Sequence, residues 1–364
     1  MLRIKLIGML LVLSGLFTTV YGDLSLSVDQ TTLRMNELYA WTVRRASYDG
    51  ILRFDPVAGC QQGSVIRIYD GIEEYWCGGY VHGNEEVLST SLMVDGISQP
   101  VGPNSIYVGD EISFTRVTEL GHAVRLESTV TVFSDSFQER VCFSGLDASI
   151  DVVKAYGFLY APLNTYSHFA AFDYNGYLLH EGITPLEDGS IVYSYLDGSS
   201  TVAQYSPETG HGMISRVTSG LDLFLSPFIT DRNFDNKLYF RFMGMEKFAS
   251  PSTYLFDISM VTTFFEADPL LWKDDVTRRI AFAGDCNLDG YVDGADLATI
   301  GLHWSPSSSG SLWGDGDFDG DLDVDGADLA IIGVNWSPVG NGIPEPTTIV
   351  FLGIGFICLM RRHR

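Results

Sequence analysis

Basic residues are scarce in this sequence. Lys and Arg number 22 against 46 Asp and Glu, giving a formal net charge of −24 over 364 residues. Phosphate backbones are held by clustered Lys and Arg, so nucleic acid is excluded as a partner. Familiar catalytic signatures are missing as well. There is no Gly-x-Ser-x-Gly elbow, no His-Glu-x-x-His pair and no phosphate loop. His82, His122, His168, His180 and His211 are scattered without metal-ligand spacing. Cysteines are few: of five, Cys358 lies in the tail, Cys286 sits in an acidic stretch, and Cys142 reads as a buried thiol. Cys60 and Cys77 flank a Gly-rich hairpin and form the candidate disulfide, which would add on the order of 3 kcal/mol by loop entropy.

What is present begins at the ends. Residues 1–22 combine a basic start (Arg3, Lys5), an apolar run from Leu6 to Phe17 and a Val20-Tyr21-Gly22 end, the pattern of a secretory leader. Export implies an oxidising compartment. Near the other end, Ile343-Pro344-Glu345-Pro346 is followed by an apolar stretch from Thr347 to Met360 and by Arg361-Arg362-His363-Arg364. Fourteen helical residues span about 21 Å, short of a hydrocarbon core of roughly 30 Å, so the segment thins the bilayer it crosses. The arginines stay cytoplasmic and leave the body outside. Motif, span and basic end over residues 343–364 resemble the PEP-CTERM sorting signal of bacteria that make exopolysaccharide. The resemblance implies an exosortase-type processing enzyme as a partner, exopolysaccharide as a companion, and a cell-surface or extracellular location with transient or permanent anchoring. A plain short membrane anchor is the alternative.

Between the two ends, residues 23–280 read as a β-rich body. Val124 to Val132 alternates apolar and polar residues with period two. Leu238 to Phe242 and Ile191 to Tyr195 are rich in aromatic and branched residues. Asp49-Gly50, Asp70-Gly71, Asp95-Gly96, Asn175-Gly176, Asp188-Gly189 and Asp197-Gly198 supply the positive φ of tight hairpins. No sustained helical period interrupts them. The expected fold is mainly β, an antiparallel sandwich or barrel built as one large or two smaller units, followed by a small helical module.

That module, residues 284–338, is an internal repeat. Gly294 to Pro306 aligns with Gly326 to Pro338 at an offset of 32, with ten of thirteen positions identical. Eleven Asp residues and no Lys or Arg fall between Asp285 and Asp328. They are spaced regularly. The first loop places Asp285, Asn287, Asp289, Asp293 and Asp296 at positions 1, 3, 5, 9 and 12, with Gly290 at 6 and the Tyr291 carbonyl at 7. Calcium takes six to eight oxygens at about 2.3–2.6 Å, and a loop with alternate side chains turned inward wraps it. The second loop offers Asp317, Asp319, Asp321, Asp323, Asp325 and Asp328, but Leu322 stands at position 6 where Gly is expected. This predicts weaker binding there or a frame shifted to Gly320. Leu297, Ile300 and Trp304, repeated as Leu329, Ile332 and Trp336, predict two helical stripes that bury each other before Pro306 and Pro338 stop the helices.

A duplicated loop and following helix with Asp at position 12 resembles a type I dockerin. The resemblance implies an EF-hand-like module with two calcium ions, held by the residues just named, and docking onto a cohesin-like domain. Partner choice in that family leans on polar residues where loop meets helix. Here those places hold Gly294-Ala295 and Gly326-Ala327, which disfavours a cohesin-like partner and suits a calcium-stiffened spacer.

For the body three readings stand: a non-catalytic surface or matrix protein associated with exopolysaccharide, a carbohydrate-binding module, and a polysaccharide-degrading enzyme (a glycoside hydrolase or lyase). Trp41, Tyr75, Trp76 and Tyr80 are candidates for sugar stacking, with ordinary core as the competing role. Glu73-Glu74 and Glu85-Glu86 are the carboxylates to consider for hydrolysis, and nothing in the sequence pairs them. The non-catalytic reading fits best.

Overall fold

A computed structural model of the chain describes residues 24–338, apart from 36–38, 40, 46–62, 70–73, 78–84, 103, 121–123, 145–151, 161–166, 185–191, 222–223, 232–236, 246–255 and 308–309. The leader, the sorting-signal segment, Cys60, Glu73, Tyr80, His82 and His122 lie outside the described residues, as do the side chains of Tyr75, Trp76, Cys77 and Glu85.

The strands in chain order are β1 (Leu24–Val28), β2 (Thr31–Met35), β3 (Trp41–Arg45), β4 (Gly63–Tyr69), β5 (Glu74–Cys77), β6 (Glu85–Val94) and β7 (Ile97–Gln99). They continue with β8 (Ile106–Val108), β9 (Ile112–Leu120), β10 (Val124–Val132), β11 (Ser136–Ser144), β12 (Val152–Tyr160), β13 (Ser167–Phe172) and β14 (Leu178–Thr184). The last are β15 (Val192–Tyr195), β16 (Thr201–Ser206), β17 (His211–Ser219), β18 (Phe224–Asp231), β19 (Lys237–Met245) and β20 (Phe256–Glu266). Among the described residues three α-helices follow, α1 (Trp272–Ile280), α2 (Gly294–His303) and α3 (Gly326–Asn335), with a 3-10 turn at Trp313–Asp315 between the last two. Among the described residues no helix is long and apolar enough to cross a membrane.

The chain is mainly β, as the period-two patterning predicts. A ten-stranded sheet runs β14-β13-β16-β17-β20-β11-β10-β9-β6-β7, beside a six-stranded sheet β15-β18-β19-β12-β4-β5 and a four-stranded sheet β3-β2-β1-β8. Pairing is antiparallel except between β1 and β8. The strand read from Val124 to Val132 is β10 with the same ends, paired on both sides by β9 and β11. Asp95 and Gly96 both take positive φ, 50° and 75°, in the hairpin joining β6 to β7, as a two-residue turn requires.

The ten-stranded sheet buries both faces in its middle. On one face Ile112, Phe114, Leu126, Val130, Val132 and Phe137 are buried, and the four-stranded sheet lies across them. Trp41 packs edge-on against Phe137 with centroids 5.2 Å apart, and the Thr31 hydroxyl donates to the Ser134 carbonyl at 2.9 Å. Trp41 is only 3% exposed, so it belongs to this core and is not a stacking platform for sugar.

The opposite face carries α1, an element the sequence analysis missed. Its apolar residues recur at i, i+4 and i+8 (Trp272, Val276, Ile280), but nine residues give too short a run to stand out against the surrounding strands. They close a cluster with Ala170, Phe172, Ala203, Tyr205, Ile214 and Phe265. Trp272 stacks on Tyr205 at 5.2 Å and 6°. The Tyr205 hydroxyl donates to the Ala267 carbonyl at 2.7 Å, so the ring's polar tip is satisfied. Arg216 of β17 donates to the Ile280 carbonyl at 3.1 Å, tying the helix end to the sheet. Trp272→Ala is expected to cost about 3–5 kcal/mol, read as a fall in the urea midpoint of the full chain.

Candidate metal centre

Each of α2 and α3 begins on a capping box that also fixes its loop. Asp293 accepts from the Ala295 amide at 2.8 Å, and the Asp296 carboxylate reaches back to the Asp293 amide at 2.9 Å. In the second copy Asp325 accepts from the Ala327 amide and Asp328 from the Asp325 amide. Carboxylates at both places also favour the positive end of the helix dipole.

The rest of the first loop is drawn onto two buried carboxylates. Asp285 accepts from the Gly290 amide at 2.8 Å and the Asp289 amide at 3.2 Å. Asp296 accepts from the Cys286 amide at 2.9 Å, which ties position 12 back to position 2. Asn287 and Asp289 are joined at 3.0 Å, and Asp289 accepts from the Tyr291 amide at 2.9 Å. Burial pushes the Asp285 carboxyl up to about 6, and the neighbouring Asp296 and Asp289 charges add to the rise. The loop thus concentrates negative charge that its own amides only partly offset.

The second loop follows the same plan. Asp317 accepts from the Gly320 and Leu322 amides at 2.7 and 3.1 Å, and Asp328 from the Phe318 amide at 2.7 Å. Its carboxylates fall into two groups, Asp317 with Asp319 and Asp321, and Asp323 with Asp325 and Asp328, with one oxygen of each residue within 4.8 Å of the others in its group. Asp323 has one carboxylate oxygen that is buried without a hydrogen-bond partner. A carboxylate oxygen in that state lacks a counter-charge or a donor. A donor set made of oxygens, with carboxylates in excess, suits a hard divalent cation and no softer metal.

Leu322 does not set the second loop apart. Both loops use positive φ at positions 4 and 6, and they exchange the residues that adopt it. Leu288 (60°) and Gly290 (86°) do so in the first loop, Gly320 (86°) and Leu322 (70°) in the second. Each loop therefore holds one leucine in a left-handed conformation, and the strain expected of the second alone is common to both. Gly320→Ala would put a second non-glycine residue there, with its Cβ 3.4 Å from the Arg278 guanidinium. The expected cost is about 1–2 kcal/mol, seen as a lower melting temperature of the variant.

The helical stripes depart from expectation. Ile300 and Ile332 are buried, but Leu297, Leu329, Trp304 and Trp336 remain 40–48% exposed. Beside Ile300 and Ile332 the core is completed by two aromatic residues that lie off both helices. Trp313 and Phe318 pack edge to face at 5.0 Å and share a cluster with Cys286, Val292, Ile300, Val324 and Ile332. The helices end at His303 and Asn335, so each following tryptophan, at ψ near 112–114°, turns off the buried face. Val292 and Val324 at loop position 8 pair crosswise. Val292 bridges to Ser337 beyond α3, and Val324 bridges to Ser305 beyond α2.

Three residues around the loops escaped sequence reading: Asp274 and Arg278 on α1, and Trp313. Arg278 donates to the Asp317 carbonyl at 2.5 Å and to Asp274 at 2.7 Å, and lies 3.5 Å from the Asp317 carboxylate. The Trp313 indole donates to the Asp285 carbonyl at 2.8 Å, and its amide donates to Asp274 at 2.8 Å. The available signals were the i,i+4 charge pair on α1 and a lone tryptophan between the repeats.

Among the described residues of the body, two charged side chains are buried, Arg116 and Glu139. Glu139 on β11 is 1% exposed, accepts from Ser128 at 3.4 Å and has its other oxygen unpartnered. Burial pushes its carboxyl up to about 7, against the lowering effect of Arg116. Of the carboxylates considered for hydrolysis, Glu86 is exposed.

No protein-family model matches the chain, and no curated protein matches it. Solved structures similar to it include a galactose mutarotase-like protein from Lactobacillus casei, at 8% identity and a TM-score of 0.41, covering 67% of this chain and 100% of that one. A GalM/aldose epimerase homologue from C. elegans matches at 8% identity and a TM-score of 0.39, covering 68% of this chain and 99% of that one. A GH36 alpha-galactosidase from Geobacillus stearothermophilus matches at 9% identity and a TM-score of 0.41, over 72% of this chain and 43% of that one. At TM-scores below 0.5 these likenesses assign neither family nor function to the chain.

Proposed function

We propose that the chain is an exported, calcium-binding protein of the cell surface or extracellular matrix, with two calcium ions held by its C-terminal loops. The observation that carries the reading is the matched pair of loops. In each, oxygen-bearing residues at positions 1, 3, 5, 9 and 12 share one backbone plan, and in the second a buried carboxylate oxygen of Asp323 has no partner. Asp285, Asn287, Asp289, Asp293, Asp296 and the Tyr291 carbonyl would hold one ion. Asp317, Asp319, Asp321, Asp325, Asp328 and Asp323 would hold the other. The ions would supply charge neutralisation and loop rigidity, and no chemistry.

Association with exopolysaccharide and cutting by an exosortase-type enzyme belong to the same proposal and rest on the Ile343-Pro344-Glu345-Pro346 segment with its apolar stretch and basic end. Calorimetry on the chelator-treated full chain tests the metal reading. Two calcium-binding events are expected, and no heat up to millimolar calcium would overturn it. Retention of the full chain on a panel of exopolysaccharides tests the companion reading, and passage through every column would remove it.

A further inference from the structure

Two observations place α1 between the loop pair and the β-rich body. On one side its Trp272, Val276 and Ile280 close the cluster over β13, β16, β17 and β20. On the other, Asp274 and Arg278 reach the loops. Arg278 holds the carbonyl of Asp317, and Asp274 holds the amide of Trp313, whose indole holds the carbonyl of Asp285. Asp285 and Asp317 are position 1 of the two loops, so a single helix of nine residues grips both at equivalent points. Arg278 and Trp313 also share a cation–π contact, with the guanidinium 5.8 Å from the ring centroid.

A second contact runs from the body to the first loop. The Asp173 carboxylate accepts from the amides of Asn175, Gly176 and Tyr177 at 2.8–2.9 Å, fixing that turn. The Asn175 side chain then lies against Gly290, where an added Cβ would stand 3.3 Å from its amide atoms. Gly176 lies equally close to Ala281 at the end of α1. A freely swinging module would need no such contacts.

We propose that the Arg278–Trp313–Asp274 knot couples cation binding in the two loops to the stability of the β-rich body, so that calcium locks α1 onto the sheet. The proposal rests on the calcium reading and extends it from the loops to the body. Arg278 is a positioning residue in this scheme. Its guanidinium is 3.5 Å from the Asp317 carboxylate, a partial counter-charge in the ion's absence. Asp317 would be free to turn that oxygen to a bound ion, while Arg278 would keep the Asp317 carbonyl and Asp274. Whatever binds the ordered loops but not the disordered ones stabilises everything that orders with them.

Hydrogen–deuterium exchange on the full chain, with and without calcium, reads loops and body separately. In the wild type, calcium is expected to slow exchange in residues 285–328, and also in 201–217 and 256–280 by about fivefold or more. In Arg278→Gln the loops stay calcium-protected, the body's calcium-dependent protection shrinks to what the first-loop contacts carry, and the second loop binds calcium about severalfold more tightly because a competing charge is gone. Trp313→Phe keeps an aromatic ring but loses the donor to Asp285, and is expected to weaken the coupling without loss of binding. It serves as the test should Arg278→Gln fail to fold. Calcium protection confined to 285–328 in the wild type overturns the coupling and leaves the metal reading intact. Absence of calcium protection anywhere overturns both. Body protection that follows calcium as fully as in the wild type in both variants overturns the role given to the knot.

Discussion

Asp285→Ala removes one of the two expected calcium-binding events and leaves the other, and Asp317→Ala does the converse. The reason lies in what position 1 does in each loop. Asp285 and Asp317 are fully buried and each gathers two loop amides onto one carboxylate. Truncation deletes a carboxylate charge and strands two loop amides, buried or partly buried, at a cost of up to about 1–3 kcal/mol each when unpaired. Affinity at the altered loop is expected to fall on the order of 100-fold or more, because affinity in such loops follows ligand charge and rigidity. The two loops share their left-handed positions, so the two losses are expected to be of similar size. Calorimetry on the full-length variants decides it. Two undiminished events in Asp285→Ala would mean that the first loop is not a binding site.

The second large effect lies in the body and depends on pH. Glu139 has its carboxyl raised from 4.5 to about 7 by burial. A carboxylate raised on folding ionises more readily in the unfolded chain, so the unfolded state binds fewer protons between those values. Stability contributed through this group is therefore highest below about pH 4.5, falls as pH rises toward 7, and stays low above it. Glu139→Gln keeps an oxygen for the Ser128 hydroxyl and removes the ionisation. At pH 8 the variant is expected to exceed the wild type by on the order of 3 kcal/mol, with little difference near pH 4. Urea midpoints at the two pH values, in constant excess calcium, measure this directly. Equal stability at pH 8 would mean that Glu139 is satisfied in its ionised form.

Much of the strand content was open to sequence reading because one physical rule controls it. A strand with one dry face must alternate, and residues 124–132 do so with Ser128 the one polar residue on the buried side. Sheet order was not legible. The ten-stranded sheet brings β17 beside β20 and β20 beside β11, pairings fixed by packing between distant segments that leave no local signature. Helix α1 escaped because its three apolar residues form a run too short to compete with its surroundings. In the loops, oxygen spacing identified the candidate ligands, but the backbone exchange of Leu and Gly did not follow from either repeat alone. It needs the φ values of both. The expected burial of Trp304 and Trp336 failed for a steric reason. Trp313, which lies outside the repeat, and Phe318, which stands where the first copy has Cys286, share the buried cluster with Ile300 and Ile332, and neither can be seen from the repeat's periodicity.

The crosswise bridges bear on how such a module is inherited. Val292 of the first copy is closed by Ser337 after the second helix, and Val324 of the second by Ser305 after the first. Neither copy carries its own clasp. A gene encoding one copy would leave that clasp to be found on another chain, so the smallest unit that closes within one polypeptide is the duplicated pair. Lineages descending from such a gene can drift in the residues of each half, but deleting either half removes the closure of both.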